Sequence, residues 1–166
     1  MTTYVLDASV AAKWYLPAEG ETHKQAALAL LEGYMSGSID LVVPDVFWTE
    51  CGNIFWKAVR RGRISQRTAE DSLAGLVSFD LATAGSKGLL REAFGVASEC
   101  DRTVYDAVYV ALASAWVRSN FGQKGVYVLA AITGTTLTTW SSIATVSTAI
   151  GSAITGIVTL IVIITK

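Results

Sequence analysis

Three carboxylates in this 166-residue chain sit where carboxylates are uncommon. Asp7 ends the run Tyr4-Val5-Leu6 and is followed by the small residues Ala8 and Ser9. Glu50 has Val46, Phe47, Asn53 and Ile54 as its neighbours three and four residues away, so it lies on an apolar helical stripe. Asp106 is the only charged side chain in residues 104–117. Burying a carboxylate without a partner is costly, so each needs either a partner or a purpose. Brought together, three carboxylates repel and raise one another's pKa. A divalent cation resolves that conflict. Carboxylates without His or Cys favour hard ions such as Mg²⁺ or Mn²⁺. Such an ion lowers the pKa of bound water and stabilises charge on a phosphoryl oxygen, so the chemistry expected is phosphodiester hydrolysis. A Ser/His nucleophile is not available, because His23 is the only histidine and lies in a polar stretch.

Each acid also has a structural reading. Asp7 suits the N-cap of the helix that follows it. Glu50 is seven residues before Lys57 and is open to an ion pair with it. Thr103 and Asp106 have the spacing of a capping box, which accounts for an acid in a first turn but not for its place at the head of an apolar helix. Cap and cation roles are compatible at Asp106.

The elements that must carry these acids follow from periodicity. Residues 4–6 read as a buried strand running into a short helix over 10–16, with Asp7 at the carboxyl end of the strand. That edge is where open α/β sheets bind ligands. A surface amphipathic helix is expected over 22–35 and a second strand over 39–43, ended by Pro44. The next helix runs from Pro44 to about Arg61 and stops at Gly62, with Asp45 at its positive end. It is apolar nearly all round, which suits a helix between layers or in a subunit contact. Further helices are expected over 65–79 and 86–98, the latter with Leu89, Leu90, Ala93 and Phe94 inward, and a short strand over 79–83. Residues 104–117 form a core helix.

Lys57, Arg60, Arg61, Arg63 and Arg67 fall within eleven positions. Such a cluster is commonly a solvated face, but arginine forks also suit phosphates. Beside the acids, Arg60, Arg61 and Arg63 become candidate phosphate contacts. The formal charge of −1 gives no global nucleic-acid signal. Two cysteines without a CxxC spacing, Cys51 and Cys100, indicate neither a disulfide framework nor a zinc site, which fits a reducing cytoplasm. No secretory signal is expected.

The ordered set Leu6-Asp7-Ala8-Ser9-Val10, then Pro44 through Glu50 to Asn53, then Val104-Tyr105-Asp106-Ala107-Val108-Tyr109-Val110-Ala111-Leu112-Ala113 resembles the PIN domain of the VapC toxin type, across about residues 3–118. The resemblance implies a three-layer α/β/α sandwich with a central parallel sheet. It implies a Mg²⁺-dependent endoribonuclease that is the toxin of a toxin–antitoxin pair, cytoplasmic, bound by a small antitoxin and commonly a homodimer. By the matched positions, Asp7, Glu50 and Asp106 are metal-binding catalytic acids, with Ser9 and Asn53 as supporting hydrogen-bonders. A phosphatase of another α/β family is disfavoured, because Asp7-Ala8-Ser9 stands where such enzymes place Asp-x-Asp.

The chain departs from the family pattern after its core helix. A fourth acid ordinarily follows the next strand, for which residues 125–131 are the candidate, yet residues 107–166 contain no acid. Reduced activity is therefore expected. The alternative is an impaired remnant that binds an antitoxin or RNA without efficient turnover. The chain divides into a PIN-like nuclease domain over 1–130 and an apolar tail over 131–166, uncharged up to Thr165 and rich in Thr, Ser and Gly. Residues 143–165 are uncharged and long enough to span a bilayer, which needs about 20 residues. Gly151, Gly156 and the many hydroxyls weaken that signal, and membrane contact competes with a strand-rich extension and with a change of reading frame near residue 120.

Overall fold

The computed structural model describes residues 2–19, 21, 23–121, 127–133 and 159–165. Three strands form a parallel sheet in the order β1 (Thr2–Val5), β2 (Ile39–Pro44), β3 (Ala82–Ala84). Thr2 is opposite Ile39 and Val5 opposite Val42, while Val42 is opposite Ala82. Leu41, Val42, Val43 and Pro44 are all buried, the unbroken apolar run of a strand covered on both faces. Pro44 is the last residue of β2, where its missing N–H costs least. Beside β1 lies β5 (Thr159–Thr165), which pairs in parallel with β4 (Tyr127–Thr133).

Helices flank this sheet, giving the α/β sandwich the sequence implies. They are α1 (Ala8–Ala12), α2 (Lys24–Met35), α3 (Val46–Arg60), α4 (Gln66–Val77), α5 (Leu90–Cys100) and α6 (Val104–Phe121). The core joins Val5, Leu6 and Val43 of the sheet region to Phe47, Cys51 and Phe55 of α3 and to Tyr109 and Leu112 of α6. Each large side chain fully buried there contributes about 1.5–3 kcal/mol. A smaller cluster joins Ala93 and Ala97 of α5 to Ala107, Val108 and Ala111 of α6, so alanines let these two helices approach closely.

Helix ends follow local chemistry. Ser65 caps α4 by accepting from the Thr68 N–H at 3.0 Å. Gly62, at φ +68°, closes α3, with the Arg63 N–H returning to the Ala58 carbonyl at 2.9 Å. Asp45 precedes α3 but accepts instead from the Ser86 N–H at 3.1 Å, and the Ser86 side chain, ahead of that N–H, leads in holding its carboxyl below the ordinary value.

Four expectations are corrected. The first helix is Ala8–Ala12, two residues earlier and shorter than expected, because Asp7 caps it directly. In α5, Leu90 and Phe94 are 49% and 66% exposed, not inward. Ser86–Leu89 forms a 3-10 turn, which changes the phase so that Ala93 and Ala97 face α6. The short strand is Ala82–Ala84, while Phe79 packs edge-on against Trp14 and Tyr34. Finally, α3 is one-sided: Phe47, Cys51, Phe55 and Ala58 are buried, and Trp56 is 54% exposed.

Within the uncharged tail, Thr159–Thr165 is the strand β5, so the seven last residues of the candidate span at 143–165 are extended. Residues 143–158 lie outside the described residues. Among the described residues no helix is long and apolar enough to cross a membrane.

Candidate active site

Asp7 stands at the carboxyl end of β1 and is the N-cap of α1, with extended backbone (φ −83°, ψ 145°). Its Oδ1 accepts from the Ser9 N–H at 2.7 Å and from the Ser9 hydroxyl at 2.5 Å. The expected pairing of Asp7 with Ser9 is thus present, and the cap and the candidate site share one side chain. Asp7 is 6% exposed. Burial drives its carboxyl up to about 6, opposed by the Ser9 hydrogen bonds and reinforced by the charge of Asp106.

Glu50 lies on α3 at the border of the buried stripe. Burial raises its carboxyl, the Tyr109 hydroxyl opposes this, and Asp7 and Asp106 push it further up. The ion pair with Lys57 that the spacing allowed does not form; Glu50 Oε2 accepts from the Tyr109 hydroxyl. Asp106 opens α6, and its N–H donates to Thr103 Oγ1 at 3.1 Å, as the capping-box spacing predicts.

Three elements thus bring the three acids into mutual electrostatic reach. Among the described residues no Lys or Arg contributes to the shift of Asp7 or Glu50. Glu21 is the contrast. Burial raises its carboxyl too, but Arg63 at 2.7 Å and Lys13 at 3.0 Å outweigh that, and the net shift is downward. The negative field also reaches the neighbours of the acids. Burial, then Asp7, then Glu50 hold the Cys51 thiol protonated, and burial followed by Asp7 and Glu50 does the same for Tyr109.

Three carboxylates within one another's field fit a hard divalent cation in charge and ligand chemistry. Among the described residues no three carboxylate, thiol or imidazole groups are gathered closely enough to form a ready metal cage. The fit is therefore one of donors and field.

The other expected residues divide. Asn53 is exposed and makes no hydrogen bond to the acids among the described residues. Arg63 is committed to Glu21 and to the Glu19 carbonyl. Arg60 and Arg61 are exposed at the end of α3. Tyr109 joins the site without having been expected from sequence. The available signal was its position one turn after Asp106 on a buried helix, where a tyrosine hydroxyl requires a polar partner.

The parallel α/β sandwich thus places one acid at the end of a strand and two on helices, within one another's electrostatic reach. The model of the PIN domain matches residues 4–116, and the chain belongs to that family, as a PIN domain of the VapC type. It is 35% identical over 111 residues to Ribonuclease VapC3 of Pyrobaculum aerophilum, a match covering 66% of this chain and 79% of that protein.

Proposed function

We propose that this chain is a Mg²⁺- or Mn²⁺-dependent endoribonuclease, the toxin of a toxin–antitoxin pair, and that Asp7, Glu50 and Asp106 hold the cation. The observation that carries this reading is the pair of raised carboxyls, Asp7 pushed up by burial and Asp106, Glu50 by burial, Asp7 and Asp106, with no basic side chain among the causes of either shift. The ribonuclease named among its relatives supports RNA as the substrate. A small antitoxin and a second copy of the chain are the partners that go with this reading.

The cation supplies an activated water and stabilises charge on the phosphoryl oxygen. The chain does the rest. Ser9 fixes the rotamer of Asp7 through two bonds to one oxygen. Tyr109 fixes Glu50, and Thr103 sets the first turn that presents Asp106. Asn53, one turn from Glu50 and exposed, is placed to meet substrate.

The test is cleavage of a mixed RNA pool by the purified chain. Weak cleavage with Mg²⁺, abolished by EDTA and by Asp7→Asn, is expected. Cleavage that persists in EDTA or in Asp7→Asn rejects the cation mechanism. The absence of any acid after Asp106 favours a second reading, a remnant that binds RNA or antitoxin without turnover. A folded, Mg²⁺-supplied chain that binds RNA and leaves it intact selects that reading.

A further inference from the structure

The exposed end of α3 carries an aromatic ring among cations. Trp56, Lys57, Arg60 and Arg61 line an open groove of about 300 Å³. The Arg60 guanidinium carbon lies 5.1 Å from the centre of the Trp56 ring, a cation–π distance. Trp56 is 54% exposed, unusual for so large an apolar surface. Among the described residues Lys57, Arg60 and Arg61 form no ion pair, whereas Arg63, Arg67 and Arg118 each do.

Position on the helix links this groove to the acids. Lys57 follows Glu50 by two turns, so it stands on the same face about 10 Å further along the axis. Arg61 lies one turn beyond Lys57 on that face. The basic C-terminal end of α3 thus continues directly from its acidic middle. Cations alone would serve any polyanion. A flat ring held open between them adds a surface that matches the π-face of a nucleobase, which is available only in an unpaired strand.

We infer that Trp56, Lys57, Arg60 and Arg61 form a subsite for one unpaired nucleotide of an RNA strand, the base stacking on Trp56 and the flanking phosphates meeting the three cations. The inference rests on the ribonuclease reading for its choice of RNA. Its consequence is a preference for single-stranded over duplex substrate, set by a residue remote from the acids. Arg60 serves as the second wall of the stack, since its guanidinium plane can lie against a base as well as against the indole.

The experiment measures binding of a fluorescent single-stranded RNA, and of the same sequence as a duplex, to the full chain in EDTA, where cleavage is off. The parent should bind the single strand more tightly. Trp56→Ala should weaken single-strand binding on the order of 10-fold with little change in salt dependence, and Trp56→Phe should recover most of the loss. Arg60→Ala with Arg61→Ala should flatten the salt slope by about 1.4, the loss of two phosphate contacts on a single strand. Equal binding of single strand and duplex, or a Trp56→Ala variant that binds like the parent, overturns the subsite. So does poly-glutamate binding as tight as RNA and insensitive to Trp56→Ala, which would assign the groove to acidic polypeptide. The two readings fail separately. RNA bound through Trp56 but never cut leaves the subsite and removes the enzyme, while Mg²⁺-dependent cleavage unaffected by Trp56→Ala does the reverse.

Discussion

The hydroxyl of Tyr109, on the buried helix α6, donates to Glu50 Oε2 on α3. Tyr109 is 1% exposed and Glu50 half-buried, so this bond is made at the edge of the core. It links two of the three elements that carry the acids. Because Asp106 lies one turn before Tyr109, the same helix that presents one acid orients another.

Tyr109→Phe tests that tether. The substitution removes one oxygen and keeps the ring, so the core stays filled. Loss of a group that orients a ligand typically weakens metal binding about 10- to 100-fold. Mn²⁺ affinity, measured by calorimetry, should fall by that amount, and stability by about 1–2 kcal/mol from the lost buried bond. Parent-like Mn²⁺ affinity in a folded Tyr109→Phe protein would show that Glu50 needs no tether.

Asp7→Asn should stabilise the cation-free protein at neutral pH. The Asp7 carboxyl is raised from 3.8 to about 6, chiefly by burial. A folded pKa above the unfolded one means that folding favours the protonated form. The stability from this group is complete below about pH 4 and is lost as pH rises through about 6. At pH 7 the ionised carboxylate therefore costs on the order of 2–3 kcal/mol. Asparagine keeps an oxygen for Ser9 and carries no charge. Denaturant midpoints in EDTA should favour Asp7→Asn at pH 7, with the gap narrowing below pH 6. Mn²⁺ should raise the midpoint of the parent alone, since only a site that binds the ion gains from it. A variant less stable than the parent at pH 7 would contradict this account.

Thr103→Ala removes the oxygen that accepts from the Asp106 N–H. Loss of such a cap costs about 1 kcal/mol. Because the frayed turn carries Asp106, Mn²⁺ affinity should fall as well, and Thr103→Ser should restore both. A change in thermal midpoint without any change in Mn²⁺ affinity would confine Thr103 to a structural role.

Glu21 neutralises two cations at once. The Lys13 and Glu21 side chains are 8% and 10% exposed, and Arg63 closes the group from α3's end at 2.7 Å. Glu21→Gln leaves the buried Lys13 ammonium without its counter-charge, which typically costs about 3–5 kcal/mol. Arg63 has a partly exposed route to water, so a loss near the lower figure is expected in urea unfolding. The Glu21 carboxyl is lowered on folding, so the parent should lose this stability as pH falls through the carboxylate range, and Glu21→Gln should not. An unchanged unfolding midpoint would mean that water reaches Lys13.

Sequence by itself determined which carboxylates stand out. A carboxylate in an apolar stretch is conspicuous because burial penalises charge, and that rule picked out Asp7, Glu50 and Asp106 without any coordinates. The parallel strands were legible for a related reason: Leu41-Val42-Val43 is apolar on every position, which only a strand covered on both faces permits. Ser9 was legible from its place two residues after a capping aspartate. What periodicity could not supply was partnership across elements. Glu50 had Lys57 two turns away in sequence, yet it bonds Tyr109, fifty-nine residues distant, because the shared core brings the Tyr109 hydroxyl to it while the lysine is exposed. Arg63 read as one of a basic cluster, yet tertiary packing set it against Glu21 and left Arg60 and Arg61 exposed. Leu90 and Phe94 looked inward until a single 3-10 turn rotated α5 and gave the interface to alanines. In each case the local preference was worth a fraction of the energy that packing decides, so the tertiary structure settled which neighbour each side chain met.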